Sequence, residues 1–401
     1  MDVRDKRNKT NLGGRRVRAI VGGAAALGIV LSACGPSLSL VTAPWGESQA
    51  VIRSALFGDR AATFDKPPRI RVDNGRIESV SVTGPNGRRV GGKLVGGGEI
   101  WELDTSDLEF GTKYKVTAKA VDLRGVESTA NETFRTFEPE KVLTVTSDLS
   151  EDETYGVGMP ITLTFDLPIK RKAEIEKRLR VETSGEPIEG AWSWDGDQSV
   201  TYRPRKYWSA KTDIKVAADL KGVNAGDDVY ALENFRRSYS IGRRMILVQN
   251  SETHRLVVRR NGKVIRDIPS STGKSGYATY SGIKVIMTKE PGPVVFDAAT
   301  VGIQKGDPEY YRLLVYNVMR VTDSGEYIHS APWSVGSQGY ANVSHGCTNV
   351  SPENAAWLMD VVLIGDPVIF KNTGGSEVAP GNGITVWNES WDEWKAGSAL
   401  Q

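Results

Sequence analysis

The sequence predicts a mostly β fold, with two β-sandwich domains followed by a third β-rich domain that has one short helix. Alternating apolar and polar residues recur in short runs, which is the pattern of half-buried strands. One local sequence also occurs twice, and 43 of the 401 residues are glycine, above the usual share of about 7%. The net charge of +2 gives no support to nucleic-acid binding, and two cysteines exclude a disulfide-rich scaffold.

The first 33 residues have the pattern of a signal peptide. Seven basic and two acidic residues lie within residues 1–18, and an uncharged apolar run extends from Ala19 to Ala33. This run is short for a transmembrane helix, and we expect it to be cleaved. The four residues Leu31-Ser32-Ala33-Cys34 resemble the lipobox of bacterial lipoproteins, in which the cysteine receives a diacylglycerol. An ordinary signal peptide with a cysteine nearby is the alternative.

Cys34 is therefore expected to carry lipid and to hold the exported chain on the outer face of the cell membrane, facing the cell wall. Two or three acyl chains are enough for stable attachment. Loss of the signal removes seven basic and two acidic residues and changes the net charge from +2 to −3. Residues 34–66 are predicted to be the lipid anchor and a polar linker without a strand pattern.

The middle of the chain is predicted to be a duplicated domain, spanning residues 67–140 and 141–242. Tyr114-Lys115-Val116 leads to Asp122-Leu123-Arg124-Gly125-Val126, and Ile214-Lys215-Val216 leads to Asp219-Leu220-Lys221-Gly222-Val223. A spacing near 100 residues indicates whole domains, because solenoid repeats are only about 20–50 residues long. Several short alternating strands in each copy favour an immunoglobulin-like sandwich.

An aromatic group in the second copy has two interpretations. We expect its members to be core and interdomain contacts, and a sugar-binding platform is the alternative. The group consists of Trp192, Trp194, Tyr202, Tyr207 and Trp208.

Residues 243–372 are predicted to be the third domain, followed by a Trp-rich tail, 373–401, that packs on it. Asn261-Gly262 between apolar runs predicts a β-hairpin, because both residues tolerate positive φ. Pro352 to Leu363 is the only convincing helix, with Ser351 as its N-cap and Pro352 in its first position.

The third domain also contains a cluster of reactive residue types. His329, His345 and Cys347 fall within 19 residues, and Cys347 is the only cysteine apart from Cys34. A thiol becomes a nucleophile when a nearby imidazole or cation lowers its pKa, so we expect a Cys347 thiolate. A zinc site is the first alternative, but this spacing matches no common zinc pattern and we expect no metal. An inert buried cysteine is the second.

The pattern of His329 followed by Ser344-His345-Gly346-Cys347-x-Asn349 resembles the signature of L,D-transpeptidases with a YkuD-type catalytic domain. The resemblance extends through Ser330-Ala331-Pro332-Trp333-Ser334 and the Trp391-Asp392-Glu393-Trp394 tail, and includes two Ig-like domains ahead of the catalytic one. One departure is Thr279-Tyr280-Ser281-Gly282, where many members have Thr-Pro-x-Gly.

The resemblance implies a role for each matching residue. Cys347 would be the nucleophile and His329 its general base. The Ser330 carbonyl would orient the His329 ring, and His345 would shape the oxyanion pocket with the Gly346 and Cys347 amides. The positions implied to bind substrate are Tyr311, Ser324, Gly325, Asn349, Gly346 and Met287, the last together with a lid segment that extends to Tyr311.

The resemblance also implies the reaction. Donor and acceptor would be peptidoglycan stem peptides: the donor tetrapeptide loses D-alanine, and an acceptor amine completes a 3→3 cross-link, with no cofactor. Hydrolysis or D-amino-acid exchange at the same thioester, or attachment of a protein to the wall, are alternatives. The non-enzymatic alternative is a lipid-anchored Ig-domain adhesin or scaffold. The resemblance further implies sensitivity to carbapenems. Two domains of about 100 residues in line after a flexible tether are predicted to act as a spacer, and we expect a monomer.

Overall fold

The computed structural model of the chain describes residues 46–57, 61–64 and 67–401. Cys34 and the signal peptide lie outside these residues, so their predicted roles stay predictions. Within the described part of the chain, no helix has the length and apolar character needed to cross a membrane. Ser48–Gln401 form one compact unit.

Eight strands form the first β-sandwich. They are β1 (Val51–Ser54), β2 (Arg69–Asp73), β3 (Gly75–Thr83), β4 (Arg89–Val90), β5 (Gly92–Val95), β6 (Ile100–Leu103), β7 (Lys113–Asp122) and β8 (Glu127–Arg135). Their two sheets have the orders β1-β2-β6-β5 and β4-β3-β7-β8. The predicted alternation in β7 is confirmed, because Tyr114, Val116, Ala118 and Ala120 are all buried between the sheets.

The predicted linker is wrong over its second half. Val51–Ser54 is an edge strand paired antiparallel with β2, and Ala50, Leu56 and Phe64 belong to the core of the first sandwich. An edge strand is hydrogen-bonded on one side only, and β1 is half exposed along its length. It therefore lacks the strong alternation from which a strand is recognised in a sequence.

The second β-sandwich repeats this architecture. Its elements are β9 (Lys141–Leu143), β10 (Val145–Ser147), β11 (Thr154–Tyr155), β12 (Ile161–Phe165), α1 (Lys172–Glu176), β13 (Leu179–Thr183), β14 (Gly190–Asp195), β15 (Ser199–Pro204), β16 (Thr212–Ala218), β17 (Val229–Ala231) and β18 (Phe235–Ile241). Two four-stranded sheets, β10-β12-β15-β14 and β11-β18-β16-β13, enclose its core, and β9 pairs with β17. The repeated sequences lie at equivalent places, in β7 and β16, and each leads to a turn glycine with positive φ, Gly125 and Gly222.

The structural interpretation of the aromatic group is confirmed. Trp192, Tyr202 and Trp208 are buried in the core of the second sandwich, and Trp194 and Tyr207 pack against that core half-buried. Trp208 also donates its indole N–H to the Met159 carbonyl at 2.6 Å.

The third domain contains the remaining elements. They are β19 (Met245–Asn250), β20 (Arg255–Arg260), β21 (Lys263–Pro269), β22 (Gly282–Val285), β23 (Thr288–Glu290), β24 (Val294–Asp297), β25 (Arg312–Val315), β26 (Val318–Arg320), β27 (Tyr327–Ser330), β28 (Thr348–Val350), α2 (Pro352–Val361), β29 (Pro367–Lys371) and α3 (Trp391–Ala396). A five-stranded sheet, β21-β20-β19-β29-β22, faces a four-stranded sheet, β23-β26-β27-β28, while β24 and β25 form a separate hairpin. The predicted β20–β21 hairpin is confirmed, with φ of 52° at Asn261 and 82° at Gly262.

The predicted helix is present as α2, but it is not the only helix. Ser351 caps α2 by accepting a hydrogen bond from the Asn354 amide at 3.2 Å. The short helices α1 and α3 escaped the sequence analysis because five or six residues are too few for a periodic pattern. In α3, Ser390 and Glu393 form a capping box that stabilises even this short turn.

The C-terminal tail was predicted to pack on the third domain, and this is only half right. Its first part does so, since Val378 donates its amide to the Ser281 carbonyl at 3.0 Å. The tryptophans instead contact the second sandwich: Trp387 donates to the Gly158 carbonyl at 2.7 Å and Trp394 to the Ala191 carbonyl at 2.9 Å. A buried indole N–H needs an acceptor, and the second sandwich supplies it.

Backbone contacts join the second sandwich to the third domain. The Gly156 amide donates to Ile364 at 2.7 Å and the Gly158 amide to Gly365 at 2.8 Å. A Cβ on Gly156 would lie 2.2 Å from the Asp366 amide nitrogen, so this close approach requires glycine. The second sandwich therefore packs directly on the third domain, which contains His329, His345 and Cys347.

Candidate active site

Two parallel strands bring the predicted catalytic residues together. In the β27–β28 pairing, His329 lies opposite Asn349, and Cys347 immediately precedes β28. Helix α2 begins after β28, as the sequence predicted. His329 and Cys347 therefore come from chain segments 18 positions apart but line the same cavity.

His329 is buried and its ring is oriented by the backbone. The side chain is 3% exposed, and Nδ1 lies 2.9 Å from the Ser330 carbonyl oxygen. A carbonyl can only accept, so Nδ1 carries the proton of the neutral ring and Nε2 keeps a free lone pair. Burial lowers the pKa of His329 to about 4, which keeps the ring neutral at pH 7. The ring is thus prepared to accept a proton at Nε2.

Cys347 differs from the expected thiolate. Burial raises the pKa of its thiol to about 12, and this outweighs the opposing effect of a hydrogen bond from the Tyr327 backbone. The sulfur also lies 3.7 Å from the Gly325 carbonyl oxygen, which can only accept the thiol proton. The resting pair is therefore a neutral thiol and a neutral imidazole, because desolvation outweighs the lowering of the thiol pKa expected from a nearby imidazole.

The residues before Cys347 form a tightly bonded loop. The Ser344 hydroxyl donates to the Cys347 carbonyl at 2.6 Å and accepts from the Gly346 amide at 3.2 Å. The Thr279 hydroxyl donates to the Gly346 carbonyl at 2.7 Å. Gly346 has a φ of 119°, a conformation that strongly favours glycine. The Gly346 amide is bonded to Ser344, and the oxyanion pocket predicted from His345 with the Gly346 and Cys347 amides stays a prediction.

His345 is held by an ion-pair network on the other side of the loop. Its Nε2 lies 2.9 Å from Glu309 Oε2, and the same oxygen accepts from Lys274 Nζ at 2.5 Å. The rings of Tyr277 and Tyr311 pack against the imidazole with centroid distances of 4.6 and 5.0 Å. His345 and its neighbours thereby connect the Cys347 loop to the segment that precedes β25.

Cys347 opens onto two cavities. One, of about 250 Å³, is lined by Phe296, Tyr311, Leu313, His329, Trp333, Val343, Ser344, His345, Cys347 and Asn349. The other, of about 230 Å³, shares Cys347, His345, Tyr311 and Phe296 with the first but has a polar wall that includes Asp297, Arg320, Asp323, Ser324 and Gly325. Two separate approaches to one sulfur suit a reaction in which one group leaves and another enters.

The predicted substrate-binding residues are distributed unevenly. Tyr311 lines both cavities, and burial raises the pKa of its hydroxyl to about 12, so it can donate a hydrogen bond at any physiological pH. Ser324 and Gly325 line the second cavity. Asn349 lines the first, but its side-chain amide is buried and donates to the Ser334 hydroxyl at 3.0 Å.

Met287 is not at this site. It lines neither cavity that contains Cys347, and its sulfur would lie 2.8 Å from a Cβ placed on Gly383 of the tail. The β24–β25 hairpin lies over the site instead, and its Phe296 lines both cavities. The lid was predicted as Met287 with the segment that extends to Tyr311; β24 and Phe296 lie within that segment, whereas Met287 itself lines neither cavity. A single sequence does not indicate which apolar residue of a lid points inward.

Several residues at the site escaped the sequence analysis. Phe296 and Trp333 pack against the His329 ring with centroid distances of 5.2 and 5.9 Å. Asn382 of the tail accepts from the Ser324 amide at 2.8 Å and donates to the Ser324 hydroxyl at 2.9 Å. Trp333 lies within the segment that carried the family resemblance, whereas nothing in the local sequence signals Asn382.

No grouping of three or more His, Cys, Asp or Glu side chains suited to a metal ion occurs among the described residues.

Comparisons with known proteins agree with this architecture. The family model described as an L,D-transpeptidase catalytic domain matches residues 243–370, and a bacterial Ig domain model matches residues 59–224. L,D-transpeptidase 2 of Mycobacterium tuberculosis is 34% identical over 342 residues, covering 85% of this chain and 83% of that protein. L,D-transpeptidase 5 of that organism is 32% identical over 344 residues, covering 83% and 73%. A solved L,D-transpeptidase from Mycobacterium smegmatis is 36% identical, covers 57% of this chain and 99% of that chain, and has a TM-score of 0.48.

Proposed function

This chain belongs to the L,D-transpeptidase family, and on that premise we propose that it cross-links peptidoglycan by acyl transfer through Cys347. The donor is a tetrapeptide stem that ends in a diamino acid and D-alanine, and the acceptor is the side-chain amine of a second stem. The observation that carries this proposal is the pairing of the half-buried Cys347 thiol with a neutral His329 ring in one cavity.

In the first half-reaction, Cys347 attacks the carbonyl between the diamino acid and D-alanine. The thiol proton passes to His329 Nε2 as the S–C bond forms, since the resting thiol is protonated. The carbonyl oxygen becomes an oxyanion, the C–N bond then breaks, and the imidazolium returns its proton to the departing amine. D-alanine leaves and a thioester remains.

In the second half-reaction, the acceptor amine attacks the thioester carbonyl. Its proton passes to His329 Nε2, the C–S bond breaks, and the Cys347 sulfur recovers a proton. The hydrogen bond between His329 Nδ1 and the Ser330 carbonyl supports the same ring orientation in both halves. Two cavities that meet at the sulfur give the two stems separate routes.

The experiment uses the full chain and a purified disaccharide-tetrapeptide, with products read by mass spectrometry. A dimer lighter by one D-alanine indicates transpeptidation, whereas free tripeptide alone indicates hydrolysis and would replace the proposal by a carboxypeptidase. Cys347→Ala is expected to abolish D-alanine release, and Cys34→Ser, which removes the other thiol, is the control that should retain it. Full activity of Cys347→Ala would refute the proposal. A carbapenem that acylates Cys347 stoichiometrically would exclude an inert scaffold.

We also propose that the chain is exported and anchored through lipidated Cys34, with the two sandwiches holding the active site away from the bilayer. The export signal and lipobox-like sequence support this. The test is labelling with a radioactive fatty acid in cells, which Cys34→Ser should abolish. A Cys34→Ser protein that stays in the membrane fraction would contradict the anchor.

A further inference from the structure

A buried ion pair lies beneath the active site and has no part in the reaction described above. Lys284 of β22 is 0% exposed, and Glu326, which precedes β27, is 6% exposed. Lys284 Nζ donates to Glu326 Oε2 across 42 positions of sequence. Such a pair needs an explanation, because taking two charges out of water costs several kcal/mol.

The carboxylate of the pair is hydrogen-bonded at both oxygens, and Lys284 has an aromatic ring beside it in addition to its carboxylate partner. Glu326 Oε1 accepts from the Tyr280 amide at 2.8 Å, and the Glu326 amide donates to the Thr322 hydroxyl at 2.9 Å. Lys284 Nζ lies 3.9 Å from the centroid of the Phe370 ring, which is a favourable cation–π contact. Apolar residues of the same size often stabilise a protein as well as such a pair does, so stability alone does not account for it.

The carboxylate of the pair lies beside the loop that carries the nucleophile. A Cβ placed on Gly346 would lie 3.6 Å from Glu326 Oε1 and 3.7 Å from Glu326 Cγ. The residue just before Glu326 is Gly325, whose carbonyl lies 3.7 Å from the Cys347 sulfur. Glu326 therefore borders the space beside Gly346, the residue before Cys347. It also directly follows Gly325, whose carbonyl lies near the Cys347 sulfur. Lys284 reaches this loop only through Glu326.

We propose that the Lys284–Glu326 pair is a positioning element for Cys347: the carboxylate supports Gly346 and keeps the sulfur protonated at rest, and Lys284 fixes and partly balances that carboxylate. This role rests on the proposed function, in which His329 takes the thiol proton only when substrate is attacked. A resting thiol is less reactive than a thiolate toward oxidants and stray electrophiles.

The electrostatics support this arrangement. The negative charge of Glu326 raises the pKa of Cys347 and the positive charge of Lys284 lowers it, each acting beside the larger effect of burial. The other titratable or charged groups that face Cys347 across the two cavities are His329, His345, Tyr311, Tyr327, Asp297, Arg320 and Asp323. None of these is altered in the experiment below.

The test measures how fast iodoacetamide alkylates Cys347 in the full chain at pH 9. The readout is the peptide that contains Cys347, so the Cys34 thiol is counted separately. Removing one nearby charge changes a thiol's pKa by about one unit, so Glu326→Gln is expected to react about tenfold faster and Lys284→Met about tenfold slower. Opposite effects from the two halves of one ion pair are not expected from a merely structural role, since loosening would speed both. Equal directions, or changes below twofold, would overturn the proposal.

A second buried ion pair provides a matched control. Arg243 and Asp366 have side chains 15% and 0% exposed and line neither cavity. Arg243→Met and Asp366→Asn should alkylate within about twofold of the wild type, in proportion to any loss of fold.

Each single substitution leaves its partner's buried charge unpaired, which could prevent folding. A double variant avoids this problem. The reversed pair Lys284→Glu/Glu326→Lys keeps both charges but brings the cation to Gly346, and it should alkylate faster than the wild type. An unchanged rate would overturn the proposal. Alkylation needs no donor peptide, so a chain that alkylates as expected but releases no D-alanine would refute the proposed function and leave this inference intact.

Discussion

Replacing Arg203 tests whether the C-terminal tail is held on the second sandwich by one buried cation. Arg203 is 2% exposed, and its guanidinium lies 5.2, 5.4 and 4.9 Å from the ring centroids of Trp387, Trp391 and Trp394. Its Nη2 donates to the Glu389 carbonyl at 2.9 Å. Arg203→Met keeps most of the packing volume and removes the charge and these contacts.

The contacts allow the free energy to be estimated. Three cation–π contacts contribute about 0.5–1 kcal/mol each, and a hydrogen bond from a charged donor contributes about 1.5 kcal/mol. Against this, burial lowers the pKa of Arg203 and its Nε has no partner among the described residues, which costs about 1 kcal/mol. The net loss expected for Arg203→Met is about 2–3.5 kcal/mol.

The assay is thermal unfolding of the full chain together with limited proteolysis of the tail. Because the unfolding entropy is about 2.1 cal/mol/K per residue, a loss of about 2–3.5 kcal/mol lowers the Tm of the compact unit Ser48–Gln401 by roughly 3–5 °C. Faster cleavage after Asn388 should accompany it, because the tail loses its anchor. Arg205→Met is the matched control: its side chain is 56% exposed and its ion pair with Glu189 is worth under about 1 kcal/mol. An Arg203→Met protein that melts within 2 °C of the wild type would refute the reasoning.

Three further predictions concern the active site. The folded-state pKa of His329 lies near 4, below its ordinary value of 6.5, so the unfolded chain binds more protons than the folded chain between these pH values. The free energy of unfolding should therefore fall as the pH drops from 6.5 to 4. In urea titrations, His329→Gln should flatten this pH dependence. The acid limb of kcat/KM should likewise lie near pH 4. Gly346→Ala places an alanine at a backbone φ of 119°, with a strain of about 1–3 kcal/mol, so acylation of Cys347 by a carbapenem should slow at least tenfold. Gly374→Ala is the control: Gly374 also has a positive φ but lies in open space, and this variant should be acylated at the normal rate. Asn382→Ala removes both hydrogen bonds to Ser324 and should raise KM several-fold with little change in kcat; Asn372→Ala is the control, and an unchanged KM would count against a role for the tail.

Features that depend on neighbouring residues could be predicted from the sequence. The β20–β21 hairpin follows from Asn261-Gly262, and the start of α2 follows from Ser351 and Pro352. The alternation in β7 indicated correctly which of its residues form the core. In these cases the local backbone preference and the tertiary structure agree.

The apolar–polar alternation of β22 predicts the wrong exposure for Lys284, and the cause is a residue distant in the sequence. Between Ile283 and Val285, a lysine is expected on the solvent side of a strand, yet Lys284 is fully buried. Its burial is possible only because Glu326, 42 positions later, offers a carboxylate at the same depth. No local pattern contains that information.

The sequence by itself predicted the order of the domains and pointed to a nucleophile and its base, because contiguous motifs and strand patterns express short-range constraints. The tertiary structure decided the state of those residues and what surrounds them. Desolvation favours a neutral Cys347 thiol and a neutral His329 imidazole, Phe296 of the hairpin lines both cavities while Met287 lines neither, and the tryptophans of the tail pack on the second sandwich. Desolvation, cavity walls and interdomain contacts arise from residues brought together across the chain, so they exist only once it has folded.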